Sequence, residues 1–166
     1  ARRQRQMCIR DSDSTAQLIN RGHDFARFTE GFNTAREAGL RICVHIINGL
    51  PGESTEMMLQ TAEILGKMRP DGVKIHLLHV INGTPLAGLW SSGEYTPLER
   101  ESYVETVVRQ LEYFPPETVI ERLTGDGDRE ELLAPLWSLD KRAVLGEIMK
   151  RQKQLDSIQG LRFQEG

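Results

Sequence analysis

Few side chains in this sequence stand out as able to do chemistry. They are four histidines (His23, His45, His76 and His79), two cysteines (Cys8 and Cys43) and the carboxylates Glu53 and Asp126. His76 and His79 lie three apart in an apolar run, so on a strand they point to opposite faces and cannot share a metal ion there. With no cysteine or carboxylate cluster beside them, metal ligation is disfavoured. His79 reads equally well as a ligand-facing group or as a hydrogen-bonded core histidine. Nothing resembles a nucleophile–base pair or a phosphate-binding P-loop. The strongest local signal lies in the backbone, at Asn48-Gly49-Leu50-Pro51-Gly52-Glu53. Its glycines and proline let the chain turn sharply and come close to a ligand. Glu53 either holds the loop's N–H groups or acts on a ligand, and the structural role is favoured. Thr124-Gly125-Asp126-Gly127 is a second tight loop, built to hold a ligand or folded on Asp126 alone.

These loops need elements to carry them. Ile42 to Ile47 is a β-branched apolar run, short enough for a buried strand, with Cys43 as a small buried thiol. Before it, Phe25, Phe28, Phe32 and Ala35 recur at helical spacing, with Asp24 as cap and Gly39 as stop. After the loop, Met58, Ala62 and Leu65 predict a helix over 55–68. A nearly continuous apolar strand follows over 73–81. Thr96-Pro97-Leu98-Glu99 reads as a capped helix start, ended by Pro115-Pro116. A short strand over 118–123, a short helix over 129–136 and a longer helix over 141–154 complete the order, and 158–166 should fray. Helix and strand alternate, which argues for a parallel sheet whose strand C-termini share one rim. Ligands bind at such a rim, although an ordinary strand–helix connection fits the same pattern.

At 166 residues, with 39% hydrophobic and 27% charged residues, the chain suits a soluble domain with a real core. Its formal net charge of −3 gives no global reason for a nucleic-acid or membrane partner. No apolar run approaches the roughly 20 residues that span a bilayer, and two cysteines make no disulfide framework, so a reducing cytoplasm is expected. Residues 1–13 show no periodicity and read as a disordered leader.

Taken together, four ordered motifs carry a resemblance. Ile47-Asn48-Gly49-Leu50-Pro51-Gly52-Glu53 resembles the IxGxPGE signature ending the fifth strand of radical S-adenosylmethionine (SAM) enzymes. Asn20-Arg21-Gly22-His23-Asp24, His76-Leu77-Leu78-His79-Val80 with Gly83-Thr84, and Arg122-Leu123-Thr124-Gly125-Asp126-Gly127 narrow it. Over about Thr15 to Lys150 the chain resembles the YhcC-like radical SAM proteins, relatives of the Elongator catalytic subunit.

The resemblance implies an α/β fold: the C-terminal half of a partial (β/α)6 TIM-like barrel with parallel strands, plus a helical C-terminal extension. The barrel half would occupy 14–95 and the extension 96–157, between the leader 1–13 and the tail 158–166. It implies SAM and a 4Fe-4S cluster as cofactors, the cluster reducing SAM to release a 5′-deoxyadenosyl radical. The family's CxxxCxxC cluster loop does not occur in this sequence, so the chain is expected to be an inactive part of a longer enzyme. Ile47 and Gly49 would lie against the SAM adenine with His79 and Val80 near it, while catalytic residues stay unassigned. The implied partners are SAM, an unidentified substrate (RNA by analogy with relatives) and a reductant such as flavodoxin or ferredoxin, without a membrane. Two other classes stand beside this one: a different barrel enzyme binding a nucleotide or phosphate, and a non-catalytic interaction module.

Overall fold

A computed structural model describes residues 4–8, 25–125 and 127–164. Its main sheet is parallel and runs in the order β1 (Gln4–Cys8), β2 (Arg41–Asn48), β3 (Gly72–Leu77), β5 (Val119–Arg122). Two short strands, β4 (Val80–Ile81) and β6 (Leu132–Ala134), pair antiparallel beside it. The helices are α1 (Phe25–Glu37), α2 (Thr55–Lys67), α3 (Pro85–Ser92), α4 (Arg100–Leu111) and α5 (Lys141–Gln154), with a 3₁₀ turn at Leu136–Leu139. The α/β class and the parallel sheet agree with the sequence reading.

Strand alternation decides the layers. Ile42, Val44 and Ile46 on β2 and Val73, Ile75 and Leu77 on β3 join one core with helical residues. Those helical partners include Phe28 and Phe32 of α1, Ala62 and Leu65 of α2, and Val107 and Leu111 of α4. Register pairs Val44 with Val73, Ile46 with Ile75 and Asn48 with Leu77, which lays both apolar rows under the same helices. Cys43, His45, Ile47, Lys74 and His76 belong to the opposite, inner face. Ser54 caps α2, its Oγ accepting from the Met57 N–H at 3.3 Å, and Asp140 caps α5 by accepting from Ala143 at 3.1 Å.

Several expectations are corrected. Within the expected disordered leader, Gln4–Cys8 is a strand pairing in parallel with Arg41–His45. Sheet pairing satisfies backbone groups whatever the side-chain pattern, so the missing periodicity did not forbid it. The run expected as one strand over 73–81 breaks after Leu77, where the Leu78 N–H donates to the Asn48 carbonyl at 2.9 Å. Val80–Ile81 then pairs with Leu132–Ala134, inside the segment expected as a helix over 129–136. The helix expected from Thr96 starts at Arg100 instead. Thr96 precedes a proline, which disfavours helical backbone there, and the Leu98 carbonyl accepts from Trp137 Nε1 at 3.2 Å. Thr84-Pro85 opens a helix that was not anticipated, with Thr84 Oγ1 accepting from Ala87 at 3.3 Å. The tail is docked rather than frayed. Gly160 donates to the Leu111 carbonyl, Arg162 donates to that of Glu112, and Arg162 Nε reaches the Glu112 carboxylate at 2.6 Å. The cap expected at Asp24 lies outside the described residues.

Candidate functional site

Because β2, β3 and β5 run parallel, their C-terminal ends bring the loops after Asn48, Leu77 and Arg122 to one rim. The first of these loops is held from inside. Glu53 Oε2 accepts from the N–H groups of Gly49 at 3.1 Å and Leu50 at 3.2 Å, and the Glu53 N–H donates back to the Leu50 carbonyl. This is the backbone-holding role favoured for Glu53 from sequence. The Gly49 carbonyl accepts from the Tyr95 hydroxyl at 2.7 Å. Burial, with the Glu53 carboxylate adding to it, pushes the Tyr95 phenol up to about 12, so it stays a donor at neutral pH.

Gly49 has φ +81, and a Cβ there would lie 2.9 Å from Leu98 Cγ and Cδ1. Glycine is therefore required twice over, by the left-handed backbone and by the Leu98 side chain. Its own N–H and carbonyl are both engaged within the protein. Beneath it, the buried Asn48 and Gln110 carboxamides bond each other at 2.8 Å in both directions, and Gln110 Nε2 also donates to the Met58 carbonyl. The loop is thereby fastened to α4 and α2.

His79 follows Leu78, whose N–H is bonded to Asn48. Its ring lies over the second loop: a Cβ at Gly125 would be 2.6 Å from His79 Cε1, and one at Gly127 would be 3.3 Å from Cε1 and Nδ1. The glycines of Thr124-Gly125-Asp126-Gly127 thus make the space in which the imidazole sits, while Asp126 itself lies outside the described residues. Tyr103 fixes the entry to this loop by donating to the Leu123 carbonyl at 2.9 Å. His79 Nε2 is buried and has no hydrogen-bond partner among the described residues. Burial, then the nearby Lys141 ammonium, hold the His79 pKa below its usual value, so the ring is neutral at pH 7. Ile47 is half-buried and pairs in register with His76. Val80 is fully buried in a small cluster with Tyr95 and Ala134, so its side chain supports the rim from within.

The structure therefore brings together Gly49, Glu53, Tyr95 and Leu98 on one side and His79, Gly125 and Gly127 on the other. Tyr95, Leu98 and Gln110 were not singled out for the site from sequence, because their partners lie 39 or more residues away and leave no local pattern. Among the described residues no group of three or more His, Cys, Asp or Glu side chains is placed to hold a metal ion, and Cys43 is buried and in no disulfide. None of their helices is long and apolar enough to cross a membrane.

Comparison with known proteins bears on this rim. Residues 70–154 match the model of the Radical_SAM C-terminal domain. YtqA of Bacillus subtilis is 45% identical over 152 residues, which is 92% of this chain and 47% of that protein. YhcC of Escherichia coli is 41% identical over 125 residues, 75% of this chain and 40% of that protein. The chain thus spans less than half the length of either relative. Elp3 of the archaeon Methanocaldococcus infernus, solved with residues 1–46 deleted, superposes with a TM-score of 0.83 at 21% identity. That match covers 96% of this chain and 37% of the solved one, and it shows a shared fold.

Proposed function

Since the chain belongs to the radical SAM family, carrying its C-terminal domain over residues 70–154, we propose that it is the adenosine-binding C-terminal half of a partial (β/α)6 barrel. In this reading the barrel half extends to about residue 95 and the helical extension follows over 96–157. SAM, when reductively cleaved, supplies a 5′-deoxyadenosyl radical in this family.

The residues on the rim suit the nucleoside part of SAM. Ile47 offers a half-buried apolar surface on the inner face for the adenine. His79 contributes a neutral imidazole whose Nε2 has no partner among the described residues. Gly49 and Val80 act through the backbone: the first lets the loop turn under Leu98, and the second anchors the segment that carries His79. Glu53 and Tyr95 keep the loop in shape by occupying the Gly49 N–H and carbonyl. By contrast, no set of the described residues fits a 4Fe-4S cluster, and in this reading they serve to orient the nucleoside. The molecule acted on is an RNA by analogy with relatives of the family, and the electrons come from a flavodoxin or ferredoxin.

The observation carrying this reading is the Nε2 of His79, without a hydrogen-bond partner among the described residues and seated on two glycines beside the IxGxPGE loop. Its test is a titration of isotope-labelled chain with SAM, followed by NMR. Signals of Ile47, Gly49, His79 and Val80 should move with a dissociation constant of about 1 mM or tighter, and His79→Ala should weaken the response. Unchanged signals at those positions would remove the site.

A further inference from the structure

The outward side of α5 carries a combination of residues that the fold itself does not use. Val144 and Ile148 are buried and turn one side of the helix into the core. Arg142, Leu145, Gly146, Met149 and Lys153 follow at i, i+3, i+4, i+7 and i+11, so helical geometry gathers them into one stripe facing away from that core. All five are exposed, Leu145 by 39% and Met149 by 62%. Gly146 stands in the middle of the stripe, although glycine is the poorest helix former after proline. A Cβ there would meet no atom within 4 Å, so no contact inside the described chain requires it to be bare. A bare position on an open helix face lets a second backbone come close.

The stripe is also cationic, on a chain whose formal net charge is −3. Glu147 is the one carboxylate within α5, and Arg100 engages it, Nε to Oε2 at 2.8 Å. The flanking carboxylates Asp140 and Asp156 lie beyond the helix ends, and the first is occupied in capping Ala143. Among the described residues none pairs with Arg142 or Lys153. Lys150 lies at the margin toward α4, in a groove that it shares with Glu101 and Glu105.

We propose that the stripe from Arg142 to Lys153 docks an acidic amphipathic helix of another protein. Its apolar residues would pack on Leu145 and Met149, its backbone would cross close at Gly146, and its carboxylates would meet Arg142 and Lys153. Apolar anchors at i, i+3, i+4 and i+7 are the pattern by which one helix receives another, and a methionine adapts its shape to the partner. The charge of the stripe selects the occupant. A second copy of this chain would set the same cations against each other, and a phosphate backbone would use the cations but leave Leu145 and Met149 in water. The stripe shares no residue with the rim, so the SAM reading does not enter.

The test is NMR of the full chain labelled at its methionine methyl groups. It is titrated with a synthetic helical peptide of leucines and glutamates, the leucines at i, i+3, i+4 and i+7. The Met149 signal should move with a dissociation constant of about 0.1 mM or tighter at low salt, while that of the buried Met58 stays in place. The same peptide with lysine in place of glutamate should leave Met149 unmoved. Arg142→Glu combined with Lys153→Glu should exchange the two responses. Gly146→Ala should raise the urea midpoint, because alanine favours helix, and still weaken the acidic peptide about tenfold. A Met149 signal that the acidic peptide does not move, a response to the lysine peptide as strong or stronger, or unchanged affinity in Gly146→Ala overturns the proposal. A tighter response to single-stranded RNA also overturns it and makes the stripe a phosphate surface. Movement of Met149 with chain concentration alone overturns it in favour of a contact between copies.

Discussion

The carboxamides of Asn48 and Gln110 stand 62 positions apart in the chain and bond each other twice, each donating to the other at 2.8 Å in a fully buried setting. Truncating one leaves the other buried without its partner, which costs more than the bond itself is worth. Gln110→Leu is expected to destabilise the chain by about 1–3 kcal/mol, and Asn48→Leu in the same chain to return part of that. Urea unfolding of both single variants and the double measures the coupling. Purely additive losses would show that the two amides do not act as a pair.

Gly49 faces Leu98 with no space for a side chain, and its φ of +81 strains any other residue. Gly49→Ala should cost about 1–3 kcal/mol. Adding Leu98→Ala should relieve the contact but not the backbone strain, so stability is regained only in part. Denaturation midpoints of the three variants decide it, and a Gly49→Ala protein as stable as its parent would contradict the strain.

Gly125 bounds the space of the His79 ring, with 2.6 Å from a Cβ position to Cε1. Gly125→Ala should push the imidazole out of its seat. Since burial is the main cause of the lowered His79 pKa, that pKa should rise toward 6.5. Histidine NMR across pH reads the change directly, and an unaltered His79 titration would mean that the ring is held by something else.

Stability should fall with acid in a window set by the histidines. His76 binds its proton near pH 4 when folded and near 6.5 when unfolded, and His45 and His79 are shifted the same way. Below pH 6.5 the unfolded chain therefore binds protons that the folded chain refuses, so stability present above 6.5 is lost as the pH falls toward 4. For His76, half-buried and partly screened, the loss should be no more than about 1 kcal/mol per pH unit. Urea midpoints at pH 7 and pH 5 test the sign, and His76→Gln should flatten the dependence. Greater stability at pH 5 than at pH 7 would refute it.

Glu112 is fully buried at the end of α4 and gathers the tail. It accepts from Ser157 Oγ at 2.7 Å, Arg162 Nε at 2.6 Å and Arg109 Nη1 at 3.3 Å. Glu112→Gln keeps the shape but removes the charge, and about 2 kcal/mol of stability should go with it. Hydrogen exchange at Gly160 and Arg162, whose N–H groups bond the Leu111 and Glu112 carbonyls, should quicken in the variant. Unchanged exchange would mean that the tail is held without the carboxylate.

What the sequence determined by itself is what neighbouring residues decide. The Phe28–Phe32–Ala35 stripe, the apolar run before Asn48, the helix that follows the loop and the α5 pattern each form within a few residues, and each was legible. So was the family, because the IxGxPGE loop and the motifs after it are local strings. Tertiary structure decided the rest. The run over 73–81 breaks at Leu78 because Asn48 offers it a carbonyl, and 132–134 extends because Val80–Ile81 needs a partner strand. Gly49 is indispensable because Leu98 packs on it and Tyr95 bonds it across 46 positions. A contact between residues so far apart imposes no period on the residues near either one, so its energy is realised only once the chain has folded.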